Sequence, residues 1–181
     1  ILRLLDVASD YGFRIATLQH VLEGYRVAPE MYAHGVAGST FSDWWGYKQE
    51  AYDAIPYNAA MMLKQGIVTS VNSDSPDTVR YMTLEAAKCM RFGGLPAQEA
   101  IKLCTLYPAI QIGLDDRIGS IEIGKDGDFA VFDRHPLDTY AKNVLTLIEG
   151  DVWYAHRDLD LEDIAPGPSS EFEPTPPRAP L

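Results

Sequence analysis

The sequence is poor in basic residues, cysteines and long apolar runs, and each shortage narrows the choice of function. Its 15 lysines and arginines stand against 26 aspartates and glutamates, which argues against a nucleic-acid partner because such a partner needs clustered positive charge. No apolar run approaches the roughly 20 residues that span a bilayer, so we expect no membrane partner. The two cysteines, Cys89 and Cys104, form no CxxC pair, so a cysteine-based metal site is not expected.

Helical and strand patterns alternate through the first hundred residues. Helices are predicted at residues 1–10, 27–34, 55–65, 77–91 and 96–107, and strands at residues 13–19, 36–41 and 67–71. This alternation, with a glycine after each of the first three helices, is typical of parallel βα units. Such units form an eight-stranded barrel or an open doubly wound sheet. No GxGxxG motif or P-loop follows a strand, so nucleotide-binding open sheets lose support.

The pattern changes after residue 113. Short strands are predicted at residues 118–124, 129–132, 144–148 and 152–155, with hairpin turns at Lys125-Asp126-Gly127-Asp128 and Glu149-Gly150-Asp151. Four antiparallel strands indicate a small sheet or half-sandwich beside the parallel part. The last stretch, from residue 165, holds six of the twelve prolines and is expected to be extended or disordered.

Two polar residues stand where predicted parallel strands end, which is where barrel enzymes carry their active sites. His20 follows the first strand, and Asp74 follows the third strand in GIVTSVNSDSPD. An imidazole nitrogen and a carboxylate that converge on one point suit a divalent ion such as zinc. The alternatives stay open: His20 as an ordinary surface residue, and Asp74 as part of a turn in which Ser75 or Asp77 caps the next helix.

Other candidates carry less weight. His34 is predicted at a helix C-terminus, where a cation suits the helix dipole, and His135 and His156 are expected at the surface. A loop rich in aromatic residues follows the second strand. Its members Trp44, Trp45 and Tyr47 are predicted either to wall a substrate pocket or to pack against the fold.

Three stretches give the sequence a family resemblance. FRIATLQHVLEGYRVA resembles the sixth barrel strand of the metal-dependent amidohydrolase superfamily, in its imidazolonepropionase-like branch, and GIVTSVNSDSPD resembles the eighth. LCTLYPAIQIGLDDRIGSIEIGKDGDFAVFD is similar to the C-terminal signature of that branch. The resemblance implies an α/β fold: the C-terminal part of a (β/α)8 TIM barrel in residues 1–112, a small antiparallel β-sandwich portion in 113–157, and a Pro-rich tail in 158–181.

The resemblance also implies a chemistry. In this family one or two divalent ions lower the pKa of a bound water and polarise the scissile carbonyl. Zinc is the ion that we expect. His20 and Asp74 would be metal ligands, and Asp74 would also accept a proton from the water and pass it to the leaving nitrogen. The expected reaction is hydrolysis of a C–N bond in a small molecule, either a non-peptide or cyclic amide or a dipeptide.

The resemblance leaves several expected ligands outside this sequence. The family also uses a His-x-His pair on its first strand, a bridging ligand on its fourth and a histidine on its fifth. The sequence opens inside a helical pattern, so we expect a C-terminal fragment that is inactive alone and self-associates through exposed strand edges. The alternative is a catalytically silent scaffold or binding protein. The full-length protein could form a homo-oligomer. Its compartment, cytoplasmic or exported, is left open.

Overall fold

The computed structural model describes residues 1–42, 44 and 46–159 of the chain. The chain is α/β and carries one parallel and one antiparallel sheet of three strands each within the described residues. It divides into two compact units. The first contains Ile1–Lys125 with Leu137–Thr139, and the second contains Asp126–Pro136 with the described residues from Tyr140 on.

The elements follow the predicted order in the first unit. The helices are α1 (Leu2–Tyr11), α2 (Ala28–His34), α3 (Asn58–Lys64), α4 (Met82–Gly93), α5 (Ala97–Lys102) and α6 (Leu106–Ile112). The strands are β1 (Thr17–Leu18), β2 (Ala37–Thr40) and β3 (Thr69–Val71). Short 3-10 turns occupy Gly24–Val27, Gln49–Ala51 and Val79–Tyr81. None of the helices in the described part of the chain is long and apolar enough to cross a membrane.

The parallel sheet has β2 at its centre, with β1 on one side and β3 on the other. Thr17 of β1 pairs with Ala37, and Ser39 pairs with Ser70 of β3. The prediction of parallel βα units is confirmed for this sheet. The strands are shorter than predicted: β1 contains only two residues, Thr17 and Leu18, which pair with Ala37 and Gly38 of β2.

The core of the first unit lies between the sheet and its helices. One cluster joins β3 to α3, α4 and α5 through small or fully buried side chains, among them Ala60, Ala86, Cys89 and Leu103. A second cluster centres on Met31 and Met62, which are both fully buried, and reaches the loop after β1. Burial of these side chains removes apolar surface from water and so stabilises the first unit.

The helix predicted at residues 96–107 is divided into α5 and α6. A continuous helix is impossible here because Pro108 has no N–H to donate to Cys104, and its ring would clash with that carbonyl group. The chain instead turns at Thr105, where φ is −127° and ψ is −84°. This break lets α6 take its own direction, and its Gln111 side chain reaches the carbonyl oxygens of Gly38 and Val68, at 3.0 and 3.2 Å.

The second unit is a small antiparallel sheet of β4 (Phe129–Phe132), β5 (Asn143–Ile148) and β6 (Asp151–Ala155). β5 pairs with both neighbours. The predicted hairpin between β5 and β6 is confirmed. Its two turn residues, Glu149 and Gly150, have φ of 54° and 88°, which is the left-handed pair of a type I′ turn.

The strand predicted at residues 118–124, and the hairpin that should join it to β4, are wrong. These described residues form no strand, and Ile121 and Ile123 are largely exposed. Gly119 and Gly124 have φ of 90° and 96°, which breaks an extended conformation at both ends of the segment. The described sheet therefore has three strands where four are predicted. The division into residues 1–112, 113–157 and 158–181 stays a prediction, and residues 160–181 of the predicted tail lie outside the described residues.

Candidate functional site

The loops after β1 and β3 are both attached to the carboxyl end of the central strand. The Val21 N–H donates to the carbonyl oxygen of Ser39 at 2.9 Å, and the Asn72 N–H donates to that of Thr40 at 2.9 Å. The residue before Val21 is His20, and Asp74 lies two residues after Asn72. The sheet therefore brings both predicted site residues to one edge.

The two side chains face each other across this edge. His20 Nε2 lies 3.8 Å from Asp74 Oδ1, and the side chains are 55% and 58% exposed. Both therefore present polar atoms to solvent rather than to the core. A ligand that enters from solvent can reach both atoms without displacing packed side chains.

His20 and Asp74 also share an uncommon backbone conformation. Three described residues other than glycine have positive φ, and they are His20 at 56°, Asp74 at 46° and Glu149 in the β5–β6 turn. Asn, Asp and His are enriched in this left-handed region, but it still costs such residues about 1 kcal/mol or more. The chain thus turns sharply at His20, two residues after β1, and at Asp74, three residues after β3.

A row of stacked rings forms one wall of the site. The His20 ring stacks on Phe41, with centroids 5.4 Å apart, and Phe41 stacks on Trp44 at 4.7 Å. The edge of Tyr47 meets Trp44 at 5.3 Å. Beside this row lies a cavity of about 430 Å³, whose lining includes His20, Phe41, Tyr47 and Asp74.

The two alternatives predicted for the aromatic loop each hold for a different residue. Trp44 packs against Phe41, whereas Tyr47 lines the cavity. Trp45 lies outside the described residues. The cavity places an apolar wall next to the exposed polar atoms of His20 and Asp74.

The turn after Asp74 is closed by hydrogen bonds to the Ser75 side chain. The Ser75 hydroxyl oxygen accepts the N–H groups of Asp77 and Thr78, at 3.2 and 3.4 Å. The prediction that Ser75 or Asp77 caps the next helix is wrong: α4 begins at Met82 with no side-chain hydrogen bond at its N-terminus, and the bonds of Ser75 lie in the turn before it. The Asp77 side chain is 90% exposed. The turn is thus closed by Ser75, and the Asp74 carboxylate faces His20.

Sequence reasoning missed two residues of this site, Phe41 and Asn58. Phe41 ends a predicted strand, and nothing in its neighbourhood marks it as the ring beneath His20. Asn58 begins α3 and is 1% exposed. An asparagine at a helix start normally indicates only a cap, so no local signal points to its contacts with the β1 loop.

His34 and His156 each have a polar partner away from the site, and the pKa of each thiol is raised. His34 Nε2 accepts the N–H of Ile15 at 3.4 Å, and His156 lies beside Asp158, with His156 Nδ1 3.5 Å from a carboxylate oxygen. Burial raises the pKa of Cys89 to about 12 and that of Cys104 to about 11. These thiols are therefore protonated at neutral pH and are poor metal ligands or nucleophiles there.

No third ligand accompanies His20 and Asp74 within the part of the chain that the structure describes. In that part, no three His, Cys, Asp or Glu residues are grouped so that they could hold a metal ion. A tight zinc site needs three or four protein ligands. His20 and Asp74 therefore do not form such a site by themselves.

Comparisons with known proteins agree with this architecture. The profile of the amidohydrolase family matches residues 57–153, more than half of the chain. Amidohydrolase tasK of Hapsidospora irregularis is 32% identical over 153 residues, which cover 81% of this chain and 15% of the relative. Imidazolonepropionase of Thermoplasma acidophilum is 27% identical over 114 residues, which cover 59% of this chain and 28% of the relative.

A solved structure, that of an amidohydrolase from Thermotoga maritima, matches with a TM-score of 0.79 and 29% identity. The match covers 86% of this chain and 40% of that protein. The chain thus spans between 15% and 28% of the length of the two curated relatives and less than half of the solved structure. The predicted family is confirmed: the chain belongs to the amidohydrolase family.

Proposed function

We propose that this chain supplies His20 and Asp74 to a divalent-metal site in an enzyme that hydrolyses a C–N bond other than a peptide bond in a small molecule. The observation that carries the proposal is the convergence of these two side chains from β1 and β3. Their facing atoms are 3.8 Å apart at the carboxyl edge of a parallel sheet. Family membership supplies the reaction class, since amidohydrolases are named for the hydrolysis of amide bonds.

The donor atoms fit zinc. Zinc binds imidazole nitrogen and carboxylate oxygen at about 2.0–2.2 Å, so two atoms no more than about 4 Å apart can contact the same ion. His20 Nε2 and Asp74 Oδ1 meet this condition, and both side chains are more than half exposed. An ion can therefore reach them from the cavity.

The two residues take different roles in the proposed reaction. When bound, the ion lowers the pKa of a water molecule and polarises the scissile carbonyl group. His20 contributes a neutral nitrogen ligand. Asp74 has two carboxylate oxygens, so one can serve as a ligand while the other accepts the proton of the attacking water and delivers it to the leaving nitrogen.

We further propose that β1, β2 and β3 are consecutive strands of a (β/α)8 barrel whose other strands and ligands come from residues outside these 181. The order β1-β2-β3, with helices between parallel strands, is the order that such a barrel requires. The short spans that this chain covers in its relatives support the same interpretation. On this proposal the 181-residue chain is inactive by itself.

Metal analysis of the whole protein tests the proposal. We expect the purified protein to contain about one or two divalent ions per chain, because catalytic sites of this chemistry hold that number. Asp74→Asn should lose metal and lower kcat for hydrolysis of a simple amide or cyclic amide by about 10²–10⁴-fold. Asp77→Asn is the matched control, three residues away and fully outside the site, and should leave both unchanged.

Two results would contradict the proposal. Normal turnover by Asp74→Asn would remove Asp74 from the reaction. A metal-free wild-type protein that remains metal-free after incubation with Zn²⁺ would instead favour a catalytically silent scaffold on the same fold.

A further inference from the structure

Asn58 is a buried amide that joins the loop after β1 to the end of β2. Its side-chain nitrogen donates to the carbonyl oxygen of Val21 at 2.6 Å and to the hydroxyl oxygen of Thr40 at 2.9 Å. Its side-chain oxygen accepts the N–H of Tyr25 at 2.9 Å. Asn58 is 1% exposed, so water does not compete for these bonds.

The backbone partners allow only one orientation of this amide. A carbonyl oxygen accepts hydrogen bonds and a backbone N–H donates them. The nitrogen of Asn58 must therefore face Val21 and its oxygen must face Tyr25. A reversed amide would set two acceptors against each other at Val21 and two donors against each other at Tyr25.

The hydrogen bond from Asn58 to Val21 holds the backbone next to His20, the predicted ligand. Val21 follows His20, whose φ of 56° turns the chain sharply out of β1. A left-handed residue holds its place only when the peptides on both sides are fixed. β1 holds the chain up to Leu18, and beyond His20 the Val21 N–H is bonded to the Ser39 carbonyl oxygen at 2.9 Å. The bond from Asn58 holds the carbonyl group of the same residue, Val21.

The rest of the loop after His20 lies against α3 and the segment before it. A Cβ atom at Gly24 would come within 2.2 Å of Met62 Sδ, so the loop approaches α3 too closely for a side chain there. Arg26 Nη2 lies 3.0 Å from an Asp53 carboxylate oxygen, but these two side chains are about half exposed, so the pair adds little stability. Asn58 provides a buried side-chain anchor at Val21, the residue after His20, in addition to the backbone bond from Val21 to Ser39.

We propose that Asn58 is a positioning residue, which holds the backbone after His20 so that the His20 imidazole faces Asp74. The inference rests on the proposed function, in which His20 and Asp74 share an ion. Outer residues that orient a metal ligand typically change metal affinity by about 10–100-fold when they are lost. Asn58 acts through the backbone beyond the ligand rather than through the imidazole itself.

The test compares Asn58→Asp with Gln111→Met in the whole protein. Asn58→Asp keeps the shape and the acceptor for Tyr25 but sets a carboxylate oxygen against the Val21 carbonyl. Gln111 is the matched control, because its amide also makes three hydrogen bonds to this sheet: to the carbonyl oxygens of Gly38 and Val68 and from the hydroxyl of Ser70. Those bonds lie near the opposite end of β2 and β3.

Two readouts apply to each variant: the Kd for Zn²⁺, and the distance between His20 Nε2 and Asp74 Oδ1 in a crystal structure. For Asn58→Asp we expect the Kd to rise by about 10–100-fold and the two atoms to separate clearly beyond 3.8 Å. Gln111→Met should lower the melting temperature yet leave both quantities near the wild-type values. Thr40→Val, which removes only one acceptor of Asn58, should change the Kd by about threefold at most.

The outcomes separate this inference from the proposed function. An Asn58→Asp protein with unchanged Kd and unchanged separation would overturn the positioning role and leave the metal site intact. Equal loss of zinc affinity in Gln111→Met would also overturn it, because the effect would then be general destabilisation. If wild type binds no Zn²⁺, the proposed function fails, and the His20–Asp74 separation in Asn58→Asp still decides the positioning role.

If Asn58→Asp does not fold, Asn58→Ser takes its place, because it removes the bond to Val21 without burying a charge.

Discussion

The Ser42 hydroxyl donates a hydrogen bond to the Glu85 carboxylate where both residues are almost wholly buried. Ser42 is 2% exposed and Glu85 is 3% exposed. The other carboxylate oxygen lies 2.6 Å from the ammonium group of Lys88. This contact ties the end of β2, next to the ring of Phe41, to the first turn of α4. A buried carboxylate is stable only with such partners, so the tie is a point where the fold is sensitive to substitution.

Glu85→Leu should lower the free energy of unfolding by about 3 kcal/mol, since it breaks a buried ion pair and removes the acceptor of Ser42. Ser42→Ala should cost about 1–3 kcal/mol, and the double variant should cost less than the sum, since both changes break the same bond. Urea denaturation measures all three. Asp6→Ala is the control: its i,i+3 pair with Arg3 is exposed and should contribute under about 1 kcal/mol. Additive costs for Ser42→Ala and Glu85→Leu would contradict the coupling.

Alkaline pH should destabilise the first unit through its thiols. Burial raises the folded-state pKa of Cys89 from 9.0 to about 12 and that of Cys104 from 9.0 to about 11. Between those values the folded chain holds protons that the unfolded chain releases, so the stabilisation is complete below pH 9 and is lost as the pH rises above it. Between its unfolded-state and folded-state pKa, each thiol lowers the free energy of unfolding by up to about 1.4 kcal/mol per pH unit.

The measurement is the free energy of unfolding from pH 8 to pH 11 for wild type, Cys89→Ala and Cys104→Ala. Each variant should start lower at pH 8 because it leaves a cavity, and should show a shallower decline above pH 9. If the free energy of unfolding falls as steeply with pH in both variants as in wild type, groups other than these two thiols cause the loss of stability. Native-state labelling of either thiol at pH 8 at the rate of a free cysteine would contradict their burial.

The stack of His20 on Phe41 should be measurable as a coupling energy. Aromatic pairs of this kind contribute about 0.5–1.5 kcal/mol beyond the area that they bury. A double-mutant cycle of His20→Asn and Phe41→Leu should return a value in this range. Asparagine suits the left-handed backbone at His20, so the substitution tests the ring and not the turn. The cycle of His20→Asn with Trp44→Leu should be close to zero, since Trp44 stacks on Phe41; equal values in both cycles would contradict the order of the rings.

The exposed apolar residues of α1 should make the 181-residue chain self-associate. Leu4, Val7 and Tyr11 follow one another at helical spacing and are 47%, 44% and 82% exposed. Light scattering after gel filtration should show a mass that rises with concentration for the chain alone. Leu4→Lys with Val7→Glu should reduce the association, whereas Leu4→Met with Val7→Ile should not. A monomer at every concentration in the unsubstituted chain would refute this prediction.

Local pattern was sufficient for most elements of the fold. Helix α1 ends at Gly12, whose φ of 70° matches the usual role of glycine after a helix, and α2 ends in the same way at Gly35. The Glu149-Gly150 hairpin was predictable for the same reason, since its turn depends on two adjacent residues. The strand at residues 118–124 was not, because alternation shows that a segment can form a strand but not that a partner lies beside it.

The sequence by itself determined that a histidine and an aspartate end two strands of a parallel sheet, because strand ends and residue types are local properties. Only the tertiary structure decided that His20 and Asp74 both turn through positive φ, and that their facing atoms come within 3.8 Å. Phe41 and Asn58 entered the site in the same way. Their roles arise from contacts between residues far apart in the chain, and such contacts depend on how helices and strands pack together, which no short window of sequence contains.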